Sequence, residues 1–162
     1  KAFFGENYYL LTDALMSSKE ASRIMKEEKN NQRVFKMFDH VTISVSGIGS
    51  FYPTEESVLA SPDFMFTEDL EMLKQENVSG DIALRFFDHD GQECNTTLKE
   101  RMISISMEQF KKIDRKISLV SGVSKANAVL SALKGGLVDV LILDSNLAEA
   151  LLKLSEDMSS QE

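Results

Sequence analysis

Three short stretches of the chain carry residue types that could do chemistry. Gly47-Ile48-Gly49-Ser50 follows the apolar run around Val41 to Val45. Paired glycines after a strand let backbone N–H groups approach an anion or a sugar closely. The stretch is not a dinucleotide fingerprint, because a third glycine is missing and Ser50-Phe51-Tyr52-Pro53 does not open a helix. A tight strand-to-loop turn with no ligand accounts for the same residues equally well. Ser121-Gly122-Val123-Ser124-Lys125 ends one apolar run and opens a helical pattern near Val123, so Lys125 falls in the first turn. Free N–H groups at a helix start favour an anion, and a lysine there opposes the helix dipole unless an anion is near. The plain alternative is a solvated lysine on an exposed helix. Gly80-Asp81-Ile82 places a carboxylate at the head of an apolar strand, where acids are uncommon. A carboxylate accepts from two neighbouring hydroxyls, as a sugar ligand requires, or it ties down strand-edge amides and is structural only.

Other chemistry-bearing residues point to nothing comparable. Asp88-His89-Asp90-Gly91 opens like a calcium loop but lacks the acid pattern and closing glutamate that such a loop needs, so it reads as a turn. His40 has no serine or cysteine partner suggested by spacing, and nothing near Cys94 marks it as a nucleophile. With one cysteine and two histidines the chain has no intrachain disulfide and little to offer zinc. No cofactor and no metal are expected, and the eight methionines read as core filling.

The elements that must position these residues fit one domain. The 162 residues are 43% hydrophobic, with 18 Lys+Arg against 26 Asp+Glu and a formal net charge of −8. That acidic balance argues against nucleic-acid contact by this stretch, since phosphate needs a basic face. No apolar run approaches the roughly 20 residues of a membrane span. Lys116 to Ser121 and Val138 to Leu143 are apolar runs, separated by a helical pattern from Val123 to Lys134 that Gly135-Gly136 stops. Asp144-Ser145-Asn146 offers caps for a last helix along Leu147, Ala150, Leu151 and Leu154. Strand, helix, strand, helix with short connections predicts a parallel pair buried on both faces. Upstream, Tyr8 to Leu11 is a candidate strand, and Ser17-Ser18-Lys19-Glu20 has capping-box spacing for a helix to about Glu28. Asn30-Asn31 is expected to interrupt it before a second helical face at Val34, Phe35 and Phe38. His40 to Ser46 reads as a strand, Thr67 as the cap of a helix through Glu76, and Asp81 to Phe87 as one strand. Asp90-Gly91 is a turn that brings Phe87 near Glu93, and a short helix is expected around Met107 to Ile113. Residues 155–162 read as a polar, disordered tail.

In this order the motifs resemble a family. Val45-Ser46-Gly47-Ile48-Gly49, Thr67-Glu68-Asp69-Leu70, Gly80-Asp81-Ile82 with Arg85-Phe86-Phe87-Asp88-His89-Asp90-Gly91, Ile103-Ser104-Ile105-Ser106, Ser121-Gly122-Val123-Ser124-Lys125-Ala126 and Gly136 to Asp144 are similar to the sugar-binding domain of SorC-type bacterial transcriptional regulators. The resemblance covers roughly Tyr8 to Leu152. It implies an α/β fold with an open, largely parallel sheet flanked by helices, of the sugar-phosphate isomerase/CoA-transferase kind. It implies a phosphorylated sugar as effector, DNA contact through a separate helix-turn-helix domain, a cytoplasmic homo-oligomer, and regulation of carbohydrate metabolism. Carried onto this chain, Asp81 faces sugar hydroxyls, Lys125 faces the sugar or its phosphate, and Gly47, Gly49 and Gly122 bring backbone close to the ligand. Ser121 departs from the family, which commonly has the first of two glycines there. The helix-turn-helix and the first part of the effector domain have no counterpart here, so residues 1–154 are expected to be the C-terminal part of that domain. The alternatives are a sugar-phosphate isomerase or aminosugar-phosphate deaminase of the same fold, and an oligomerisation module with a vestigial pocket. An enzyme needs a base and a proton shuttle; Asp81 could be the base, but neither histidine is placed to partner it.

Overall fold

Caps and apolar runs set the order of elements. The computed structural model describes residues 5–51, 57–61 and 63–159. Helices α1 (Lys19–Glu27) and α2 (Lys29–Met37) lead into strands β1 (Ile43–Ser46) and β2 (Ile48–Ser50). Helix α3 (Thr67–Gln75), strands β3 (Gly80–Ile82) and β4 (Arg85–Phe87), and helices α4 (Leu98–Arg101) and α5 (Met107–Lys111) follow. The chain closes with β5 (Arg115–Val120), α6 (Ala126–Lys134), β6 (Val140–Leu143) and α7 (Ser145–Ser159). The expected strand-helix-strand-helix unit is present, with β5 parallel to β6, Ile117 opposite Val140 and Val120 opposite Leu143. Strand β1 adds in parallel on the other side of β5, giving the order β1-β5-β6. The fold is α/β, with a parallel sheet flanked by helices.

Those helices lie on one face. Phe110 of α5 and Ile113 just after it, Val120 of β5, Ala126, Val129 and Ala132 of α6, and Leu147 of α7 belong to one buried cluster. Opposite, Ile43 (59% exposed), Val45 (67%), Leu119, Val140 and Ile142 meet solvent. The expectation of burial on both faces is therefore corrected: among the described residues nothing covers the second face. The covered face of β1 and β5 is unusually polar. Ser118 and Lys116 are buried there; the Lys116 Nζ donates to the Ile113 carbonyl at 3.1 Å and pairs with Asp139 Oδ2 at 2.8 Å.

A second, antiparallel sheet of order β2-β3-β4 was not foreseen. The chain leaves one sheet and joins the other across the single residue Gly47. Asp81 to Phe87, expected as one strand, is a hairpin whose turn residues Ala83 (φ 50°) and Leu84 (φ 63°) both adopt left-handed backbone. That conformation suits a two-residue hairpin, but it is normally supplied by glycine, asparagine or aspartate. Phe87 does bridge to Glu93 across the Asp90-Gly91 turn. A second core of Phe51, Leu59, Met65, Leu73, Phe86, Leu98 and Met102 sits against this sheet. Beside it the half-buried Arg101 grips the buried Asp69 with two hydrogen bonds, 2.7 and 3.2 Å.

Smaller corrections have local causes. Tyr8 to Leu11 is not a strand; the Leu11 N–H donates to Asn31 Oδ1 instead of to a neighbouring strand. The N-cap of α1 is Ser18, whose hydroxyl accepts from the Ala21 N–H, so the box from Ser17 to Glu20 is one residue out of register. Asn30-Asn31 lies inside α2; the break falls at Glu28, and buried Asn31 also donates to the Met25 carbonyl. Thr67 is the first residue of α3 and not its cap. Among the described residues a complete capping box forms at α5, between Ser106 and Gln109. Helix α7 continues through Ser159, so residues 155–159 are helical rather than a disordered tail. Residues 160–162, like Tyr52 and Pro53, lie outside the described residues.

Candidate functional site

A cleft of about 440 Å³ opens where β1 ends and the chain crosses to β2. Ser46, Gly47 and Gly49 line one side, and Ser57, Asp81 and Lys125 bring the polar side chains. Leu59, Phe64, Ala83 and Leu84 give it apolar walls. The strained pair Ala83-Leu84 thus forms part of the cleft, a common place for unusual backbone.

Asp81 is the centre of this site. It sits on β3, the middle strand of the antiparallel sheet, and is only 9% exposed. Its Oδ1 accepts from the Ser57 hydroxyl at 2.6 Å. Burial pushes its carboxyl up to about 6, against the pull of the Ser57 hydrogen bond and the Lys125 charge. Sequence reasoning missed Ser57, which lies 24 residues away with no local motif to announce it. The Leu59 N–H donates back to the Ser57 hydroxyl at 3.2 Å and fixes it.

Lys125 is placed differently from expectation. A 3₁₀ turn, Val123–Lys125, precedes α6, and Lys125 is the N-cap residue rather than part of the first helical turn. The Lys125 N–H is already donated to the Gly122 carbonyl and the Ala126 N–H to the Val123 carbonyl. The positive character at this corner therefore comes from the ammonium more than from open amides.

The glycines divide. Gly47 has open space around a built Cβ, with only the Leu119 carbonyl at 3.8 Å, and it borders the cleft. A Cβ on Gly49 would overlap Asp81 Oδ1 and lie 2.6 Å from Ser57 Oγ, so the carboxylate itself requires glycine there. Gly122 is not in the cleft lining. Its φ of 104° demands glycine, and its N–H donates to Asp144 Oδ2 at 2.9 Å. Asp144 also accepts from the Leu147 N–H at 3.0 Å, so it ties the turn after β5 to the start of α7. These amides hold its carboxyl below the usual range.

The remaining candidates have structural partners. Asp88 Oδ1 accepts from the Asp90 and Gln92 N–H groups at 3.0 and 2.9 Å, which makes a turn of the calcium-like stretch. Cys94 is buried and its thiol pushed up to about 12, first by burial and then by nearby carboxylates. Neither His40 nor His89 lines the cleft of Asp81.

A carboxylate, an ammonium and hydroxyls converging at the carboxyl end of a parallel strand define a binding domain for a small polar ligand. The chain matches the family described as "Putative sugar-binding domain" over residues 1–153 and belongs to it. It is the sugar-binding domain type of transcriptional regulators, as the SorC-type resemblance implied. It is 26% identical over 144 residues to the deoxyribonucleoside regulator of Bacillus subtilis strain 168, covering 89% of this chain and 45% of that protein. A DeoR family transcriptional regulator from Listeria monocytogenes superposes with a TM-score of 0.81 at 31% identity, over 88% of this chain and 57% of that one. The full-length sorbitol operon regulator SorC from Klebsiella pneumoniae does so with a TM-score of 0.77 at 26% identity, over 87% and 46%. The chain thus spans about half the length of these relatives.

Proposed function

We propose that this chain senses a phosphorylated sugar for a bacterial transcriptional regulator. Asp81 carries the reading. A buried carboxylate with its pKa raised is unfavourable to fold at neutral pH, and a ligand whose hydroxyls donate to it supplies what the fold lacks. Lys125 meets the ligand's phosphate, Gly47 lets its ring approach the backbone, and the face of Phe64 offers the ring an apolar wall. Ligand would favour one of two arrangements of a homo-oligomer in the cytoplasm and so alter DNA affinity through a separate helix-turn-helix domain. Catalysis is no part of the proposal: among the described residues of the cleft, Asp81 is joined by a lysine and by no histidine or second carboxylate to shuttle a proton. The test is a thermal-shift screen of pentose and hexose phosphates beside the same sugars without phosphate, with every hit assayed for turnover. A shift confined to phosphorylated sugars, without turnover, is expected. Turnover of a hit, or no shift with any member, contradicts the proposal.

A further inference from the structure

A second cavity, about 460 Å³, lies apart from the cleft of Asp81 and shares no lining residue with it. Asn127, Leu130, Ser131 and Lys134 form one wall, at the i, i+3, i+4 and i+7 spacing that sets them on one face of α6. Asn77 and Ser79, between α3 and β3, form another, and His89 adds to the lining from the turn after β4. That turn is pinned to the end of α6 by two glycines. A Cβ on Gly91 would stand 2.5 Å from the Ser131 carbonyl oxygen and from Gly135 Cα. The walls are therefore set before anything binds, and the volume is in the usual range for a small-molecule site.

The charge around this cavity is unlike that of the chain as a whole. Acids outnumber Lys+Arg by 26 to 18, yet no carboxylate lines the cavity among the described residues. Lys134 has no ion pair among those residues, whereas Lys99, Lys112 and Lys116 each meet a carboxylate. His89 is taken by Asp90, whose Oδ2 lies 3.3 Å from its Nε2, so the uncompensated charge here is the Lys134 ammonium. Two side-chain amides stand with it. One N–H of Asn77 is spent on the Gln75 carbonyl at 3.4 Å, which leaves its other N–H, and those of Asn127, to donate to an anion.

The two buried serines of the lining have the opposite character. Ser131 Oγ lies 2.9 Å from the Asn127 carbonyl oxygen, which can only accept, so the one Ser131 hydroxyl proton goes there. Across the 2.8 Å between the two hydroxyls Ser79 must then be the donor. With their protons spent, both serine oxygens have only lone pairs left to offer. A ligand hydroxyl supplies the matching donor.

We propose that this cavity is a second small-molecule site, for a ligand bearing an oxyanion beside hydroxyl groups: a sugar acid or a polyol phosphate. The ammonium and the amides take the oxyanion, the serine oxygens accept from hydroxyls, and Leu130 gives the carbon chain an apolar contact. Lys125 and Lys134 stand at opposite ends of α6, about 13 Å apart along its axis, so both cavities can be filled at once. The proposal does not rest on what the cleft of Asp81 binds.

The test is calorimetric titration of the whole protein carrying Lys125→Glu, which removes the cation of the other cleft. Gluconate has both groups, glucitol lacks the anion, hexanoate lacks the hydroxyls, and glycerol 3-phosphate sets a phosphate in place of the carboxylate. Saturable binding of gluconate or glycerol 3-phosphate is expected, with glucitol and hexanoate at least about tenfold weaker. The tighter of the two probes tells a sugar acid from a polyol phosphate. Adding Lys134→Met, at an exposed position, should weaken that probe by about tenfold or more in a protein that stays folded, and Ser79→Ala should weaken it by a comparable factor. No saturation by either probe up to about 50 mM overturns the proposal. So does unchanged affinity after Lys134→Met, or binding of glucitol or hexanoate as tight as that of the probe.

Discussion

Gly49 lies directly opposite Asp81 in the β2–β3 register, and the carboxylate occupies the space a side chain at 49 would need. The glycine is thus set by its cross-strand neighbour. Gly49→Ala should displace Asp81 and Ser57 and destabilise the fold by about 1–3 kcal/mol, the range for overpacking a buried site. Adding Asp81→Ala should recover more than about 1 kcal/mol of that loss in a double-mutant cycle read by urea melts. Simple additivity would show that the two residues do not share the space.

Asp81 links stability to pH. Its folded pKa, about 6, lies above the ordinary 3.8, so the native state binds more protons between these values. Its favourable contribution is full below about pH 4 and is lost as pH rises through about 6. Asp81→Asn keeps an acceptor for Ser57 without the charge. It should be more stable than the parent at pH 8, by an amount on the order of 2–3 kcal/mol, and equal to it near pH 4. Melts across this range check the crossover.

Lys125 makes no contribution to either core, so Lys125→Ala should leave the melt unchanged near pH 4, where Asp81 is protonated, and lower it slightly above about pH 6, where the ammonium no longer offsets the Asp81 charge. Loss of a hydrogen bond to a charged ligand group should weaken effector binding by about 1.5–3 kcal/mol. Calorimetric titration of the variant measures it.

Asp144 acts at one remove from the cleft. Asp144→Ala frees the Gly122 turn and uncaps α7 together, so the melting temperature should fall. Because native contacts depress its pKa, its stabilising contribution is present above the ordinary carboxyl value and fades as pH drops through the lowered one. The melts of parent and variant should converge at low pH, and parallel curves at every pH would contradict that role.

What was legible in the sequence was whatever depends on local pattern. The apolar runs around Ile117 and Ile142, the spacing of Val129 and Leu133, and Gly135-Gly136 state the parallel unit directly. The second sheet was hidden because its turn, Ala83-Leu84, has no turn residue, and because three-residue strands carry little alternation. In the site, Gly47, Asp81 and Lys125 could be named from their settings, but Ser57 meets Asp81 only through the folded chain. The causes of Gly49 and Gly122 were equally tertiary, one a carboxylate across a strand pair, the other a turn held by Asp144.

The measurement closest to the central claim is calorimetric titration with the sugar phosphate that gives the largest thermal shift, at pH 7.5, on the parent, Asp81→Asn and Lys125→Glu. Its dephosphorylated sugar and inorganic phosphate serve as controls. The cleft of Asp81 and Lys125 predicts saturable binding by the parent, at least about tenfold weaker binding by Asp81→Asn, and none by Lys125→Glu, with all three proteins folded. Equal affinity in the parent and both variants would contradict it and place the effector elsewhere on the domain.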